Sequence, residues 1–108
     1  MIEILFQFVN ELILVKIVGN SVLFGNTNYG AQMAPIEGLK LDKSGVLKEF
    51  PDLSGDADWR KKAISRFKEK IKSYPTERMK ADYIIDDLKK FGYIPTKIQI
   101  SGRRPQSL

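Results

Sequence analysis

Residues 2–25 constrain this chain more than any other stretch. They hold three short apolar runs, 2–9, 12–18 and 21–25, rich in β-branched and aromatic residues and separated by turn-forming residues. Asn10-Glu11 is a candidate first turn, and Gly19-Asn20 is a stronger two-residue hairpin signal. With those turns, Phe8 faces Ile13, Phe6 faces Val15, Ile4 and Val22 face Ile17, and Phe24 faces Val15. Side chains alternate along a strand, so all of these share one face, and that face is wholly apolar. The opposite face is mixed: Glu3, Gln7 and Lys16 stand among Leu5, Val9, Leu12, Leu14, Val18 and Leu23. The expectation is a three-stranded antiparallel meander with one face committed to a core.

Residues 25–55 read as irregular, because Pro35, Gly38, Gly45, Pro51 and Gly55 interrupt them at short intervals. Ile36, Leu39, Leu41, Val46, Leu47, Phe50 and Leu53 are nevertheless too many large apolar groups for a linker. The segment is expected to pack down, with a short strand near 38–42 or 46–50. A structureless connection of that length is unusual in a compact domain.

Two helices follow. Trp59, Ala63, Ile64, Phe67, Ile71 and Tyr74 fall within an arc of about 140° at about 100° per residue, which predicts an amphipathic helix over 57–73. Ser54 or Asp56 is placed to cap it, and Pro75 stops it. Thr76 is a natural N-cap for a second helix that ends at Gly92, with Tyr93 able to close back on Leu88. Ala81, Tyr83, Ile84, Ile85, Leu88 and Phe91 give this helix the broader apolar face, so it is expected to be the more buried. Beyond Pro95, the alternation at Ile98 and Ile100 allows an edge strand over 96–101. The fold class expected is α+β: the N-terminal meander packed by a C-terminal two-helix hairpin. Residues 1–101 form a single domain in this reading, and 102–108 a flexible basic tail.

Charge is concentrated on one element. Between Trp59 and Lys72 stand Arg60, Lys61, Lys62, Arg66, Lys68, Lys70 and Lys72 against the single acid Glu69, whereas the whole protein carries a net charge of +5. On a helical projection, Lys61, Lys62, Arg66, Lys68 and Lys72 lie opposite the apolar arc. Three readings of that face are open. It contacts nucleic-acid phosphates without regard to sequence, with Arg103 and Arg104 extending the footprint; it meets an acidic protein; or it is a solvated surface. The acids Asp42, Glu49, Asp52, Asp56 and Asp58 are placed to fold alongside and offset its field. The order and length of the helices do not match a helix-turn-helix, and Trp59 and Phe67 point to the core rather than alternating with the cations as stacking platforms.

The chain has no cysteine and no histidine. Disulfides, thiolate zinc sites and thiol nucleophiles are thereby excluded, and so are the usual metal ligand and the usual base near neutral pH. Carboxylate or lysine chemistry, or an all-oxygen site for Mg²⁺ or Ca²⁺, is what is left, so an enzyme is the third-ranked expectation, and no catalytic residue, metal ligand or cofactor is assigned. Gly25 and Gly30 have the spacing of a phosphate-binding loop, but Ala31 and Gln32 replace the required Lys and Ser/Thr, so GNTNYG reads as a turn. Asp82 and Asp86 share a helix face at i, i+4, with Asp87 beside them, a pattern read as an acidic helix edge. Asp52, Asp56 and Asp58 read as capping residues.

Glu3, Gln7, Asn10, Glu11 and Lys16 interrupt the apolar N-terminus, so no run approaches the ~18–20 residues of a membrane helix. A cytoplasmic protein without membrane contact is expected. The rival to phosphate binding is a protein-interaction module or homodimer that uses Leu5, Val9, Leu12, Leu14, Val18 and Leu23. That rival requires the mixed sheet face to stay uncovered, and residues 34–53 hold enough apolar groups to cover it.

Overall fold

A computed structural model describes residues 1–30 and 32–100, and the backbone of 106–107. Six strands form one antiparallel sheet: β1 (Ile2–Phe8), β2 (Glu11–Val18), β3 (Ser21–Asn26), β4 (Ala34–Pro35), β5 (Ile94–Ile100) and β6 (Gln106–Ser107). Their order is β4-β3-β2-β1-β5-β6. Among the described residues, three α-helices complete the α+β fold: α1 (Lys43–Glu49), α2 (Trp59–Lys72) and α3 (Glu77–Lys90).

The meander forms, with one change of register. Phe6 lies opposite Ile13, Ile4 opposite Val15 and Ile2 opposite Ile17, so the first turn is Val9-Asn10 rather than Asn10-Glu11. This displaces the pairing by two residues, which leaves every side chain on its expected face because the strand period is two. The turn is made at a cost: Val9 has φ 55°, a left-handed conformation that a β-branched residue resists. The β2–β3 register is as the sequence suggested, with Ile17 opposite Val22 and Val15 opposite Phe24 across Gly19-Asn20.

The largest departure is the C-terminal strand. β5 is longer than expected and pairs with β1, so the first strand of the chain becomes central and is held on both sides. Lys97 stands opposite Leu5 and Pro95 opposite Phe6, which leaves Thr96 as the extra residue of a bulge. Its hydroxyl donates to the Leu5 carbonyl at 3.0 Å. The N-terminal meander and the C-terminal hairpin are therefore parts of one sheet-and-helix unit. Arg103 and Arg104 lie outside the described residues, while Gln106 pairs with Ile98 and Ser107 with Lys97.

The core sits on one side of the sheet. Ile2, Ile4, Phe6, Ile13, Val15, Ile17 and Ile98 meet Ala63, Phe67 and Ile71 of α2 and Ala81, Ile84 and Leu88 of α3. α3 lies against β1, β2 and β5, and α2 packs on α3 and on the turn Ile36–Gly38. The end of α3 closes as its sequence implied: Tyr93 N–H donates to the Leu88 carbonyl at 2.8 Å and Gly92 N–H to Lys89 at 3.3 Å, with Gly92 at φ 100°. Thr76 accepts from Met79 N–H at 3.1 Å and so caps the start of α3.

Residues 43–49 are helical rather than extended, a second correction. Asp42 caps α1 by accepting from Gly45 N–H at 3.3 Å. Gly45 lets α1 approach α3 closely, because a Cβ there would fall 2.1 Å from the Lys90 carbonyl oxygen. This whole region joins the same core through Ile36, Leu39, Val46 and Leu53. It therefore does not cover the mixed face of the sheet.

Candidate interaction surfaces

The basic face of α2 is built as the helical projection implied, but most of its charge is engaged. Lys62 is hydrogen-bonded to Asp56 and Lys68 to Glu37, and Arg66 forks onto Asp52 at 3.0 and 2.5 Å. Arg66 also lies over the Phe50 ring, 4.9 Å from its centroid. Lys72 makes a loose 3.9 Å pair with Glu69 of its own helix. Lys61 has no ion-pair partner among the described residues. Hydrogen bonds from Lys68, Arg66 and Lys62 hold the carboxyls of Glu37, Asp52 and Asp56, respectively, below their ordinary range. The same contacts raise Lys62 and Arg66.

Asp52 and Asp56 thus serve as counter-ions and not as the helix cap expected of them. Asp58 occupies the cap position of α2 without a side-chain bond to the helix, and Asp56 accepts from Asp58 N–H at 2.8 Å. The acidic edge of α3 divides: Asp82 pairs with Arg78 at 3.6 Å, Asp86 is exposed, and Asp87 turns inward to Lys70 at 3.1 Å. Among the described residues, no group of three or more acids is arranged to hold a metal ion. GNTNYG forms a single helical turn, Thr27–Tyr29, capped by Asn26 and closed by Gly30 at φ 78°.

Cations committed to backbone carbonyls were not legible in the sequence. Lys80 is 1% exposed and donates to the Tyr74 carbonyl just past the end of α2. Arg60 donates to the carbonyl oxygens of Glu37 and Leu39, so it ties α2 to the preceding turn without meeting a carboxylate. The Arg60 bonds depend on chain segments brought together only by folding, and the Lys80 bond on the turn between α2 and α3.

The outer face of the sheet is the second candidate. Leu5, Leu14 and Leu23 are half-buried, while Leu12, Val18 and Val9 are exposed, Val9 at 74%. None of the six belongs to the core cluster, and the helical layer lies on the other side. Leu5 and Leu14 are directly opposite, with Glu3 opposite Lys16 one step further along. Lys16 is in turn opposite Leu23.

Two clefts adjoin α2. One, of about 250 Å³, lies between β3 and the helix and is lined by Ser21, Val22, Ile36, Ile71, Lys68 and Lys72 among others. The second, of about 350 Å³, continues it past Glu37 toward Lys61 and Ile64. A third, of about 240 Å³, opens beside Phe8, Phe24, Tyr29 and Tyr93. Burial pushes the Tyr93 hydroxyl well above its ordinary range, and it donates to the Lys40 carbonyl at 2.7 Å.

Comparison with protein-family models, with curated proteins and with solved structures finds no match for the chain. None of the helices described is long and apolar enough to cross a membrane.

Proposed function

We propose that the protein is a non-enzymatic interaction module that self-associates through the outer face of its sheet. One observation carries this reading: the helices and the core residues of 36–53 all pack on the same side, leaving Leu12 and Val18 exposed and Leu5, Leu14 and Leu23 half-buried on the other. The face also complements itself. A two-fold axis running along the strands between β1 and β2 sets Leu5 over the second copy's Leu14 and Glu3 over its Lys16, from the observed register. Opposite charges meet and no like charges do. Two sheets stacked in this way form a sandwich about 10 Å thick.

Sedimentation from micromolar to near-millimolar concentration tests it. The expected result is a dimer mass that reverts to monomer in Leu14→Lys, with helix and strand content unchanged by circular dichroism. A monomer throughout the range rejects the reading.

Contact with nucleic-acid phosphates through α2 is the weaker proposal. It is supported by Lys61 and Lys72, which among the described residues no carboxylate from another element engages, and opposed by the ion pairs of Lys62, Arg66 and Lys68. Its test is retention on DNA and RNA across a salt series, for the native chain and for Lys61, Lys62 and Arg66 each changed to Glu. A phosphate-binding face gives steeply salt-dependent retention that charge reversal abolishes.

A further inference from the structure

We propose a second binding site, which meets the outer-face set of the sheet only at Leu23: the groove between the start of β3 and α2 takes an acidic peptide in extended conformation. Three features converge on it. The first is an open strand edge. β4 pairs only with Leu23 and Phe24, so Ser21 and Val22 have β2 as their sole strand neighbour among the described residues. Their side of β3 lines the cleft, and an added strand satisfies such an edge by backbone pairing.

The second is an apolar floor. Val22, Ile36 and Ile71 line the first cleft and Ile64 the second, giving alternate side chains of an extended segment somewhere to insert. The two clefts share Glu37, Lys68 and Lys72, so together they form an elongated groove suited to a peptide rather than to a compact ligand.

The third is charge. Arg60, Lys61, Lys68 and Lys72 line the groove against Glu37 and Glu69. Arg60 is held by carbonyl oxygens and Lys61 by no carboxylate among the described residues, so the groove has an excess of positive charge that an acidic ligand neutralises. Lys72, 65% exposed, is free to leave its loose contact with Glu69. Among the described residues no aromatic side chain lines either cleft, which removes the stacking platform a nucleic-acid strand requires and favours a peptide.

Fluorescence anisotropy with a labelled octapeptide of alternating Glu and Val tests the assignment on the full chain. Saturable binding is expected, weakened on the order of tenfold by Lys72→Glu. N-methylation of alternate peptide amides weakens it comparably, and Leu14→Lys on the outer sheet face leaves it unchanged. Amide resonances of Ser21, Val22 and Ile71 shift on titration. Circular dichroism checks that Lys72→Glu is folded; if it is not, Lys72→Gln takes its place and loses less affinity in the same direction. Equal binding of a Glu–Gly octapeptide, or of a Lys–Val octapeptide, overturns the proposal. So does a single-stranded oligonucleotide that displaces the peptide, binds more tightly and shows the same dependence on Lys72, since the groove then belongs to nucleic acid.

Discussion

The two faces of the sheet are made by the same strands, yet they end in opposite environments. Ile4, Phe6, Val15 and Ile17 have no exposed surface, whereas Leu5 and Leu14, one residue along from Ile4 or Phe6 and from Val15, are only half-buried. Leucine is no less apolar than isoleucine, so the difference does not lie in side-chain chemistry. It lies in which side the later chain packs on. The inner face carries Phe and β-branched residues, with polar Glu11 and Asn26 only at its end, and the outer face includes Glu3, Gln7 and Lys16 along its length. Covering the outer face with helices would have stripped water from those groups without offering partners, at a cost of several kcal/mol.

The sharpest way to break this contrast is Phe6→Ala. Phe6 is fully buried and meets Tyr93 edge-on with ring centroids 5.8 Å apart, so unfolding by urea should show a loss of about 3–5 kcal/mol. Gly45→Ala probes the inner layer from its far side. The added methyl would meet the Lys90 carbonyl, and a loss of about 1–3 kcal/mol is expected in the same assay, with α1 as the element that moves. Val9→Asn should act in the other direction. Val9 is exposed in a left-handed conformation that Asn tolerates, so about 1 kcal/mol of stability should be gained. An unchanged or lowered midpoint would show that the turn carries no strain.

Leu14→Thr belongs to the outer face and should cost less than about 0.5 kcal/mol in dilute solution. If that face joins two copies, the cost rises with protein concentration; a constant cost would separate the face from association. The ion pairs along α2 should give the smallest effect, visible as a pH dependence. Arg66, Lys62 and Lys68 depress Asp52, Asp56 and Glu37 in the folded state, so their contribution is complete above about pH 5 and is lost as pH falls through the lowered values. The melting temperature should fall on acidification, less steeply in Asp52→Asn and less steeply still in high salt. An identical slope in Asp52→Asn would remove the Arg66–Asp52 pair from the account.

Much of the fold was legible because it rests on local rules. The period of two in 2–25, the arc of Trp59, Ala63, Ile64, Phe67 and Ile71, the Thr76 cap and the Gly92 closure each involve residues close in sequence. The misses are long-range or energetically balanced. Val9-Asn10 and Asn10-Glu11 give the same inner face, so the pattern did not distinguish them. The strand at 94–100 was visible as an alternation, but its place beside β1 was not, since residues about ninety positions apart share no local signal. Residues 43–49 contain a glycine and follow a broken stretch, which hid a helix whose face is set by contact with α3.

The candidate sites divide along the same line. The cations of α2 and the leucines of the outer face could be named from the sequence, and both lie on the faces assigned to them. Whether each was free could not be named. Asp52, Asp56 and Glu37 reach α2 from other segments to engage Lys62, Arg66 and Lys68, while Ile36, Leu39, Val46 and Leu53 turn to the inner side and leave the outer leucines half-buried or exposed.

By itself the sequence determined the three N-terminal strands and the two long helices, the apolar side of each, and the concentration of charge on one of them, because propensity and periodicity act over a few residues. Only the tertiary structure decided that β1 would be central, which cations would be neutralised and which sheet face would stay open. Those outcomes depend on distant segments competing for the same surface, where burial of apolar area outweighs any local preference.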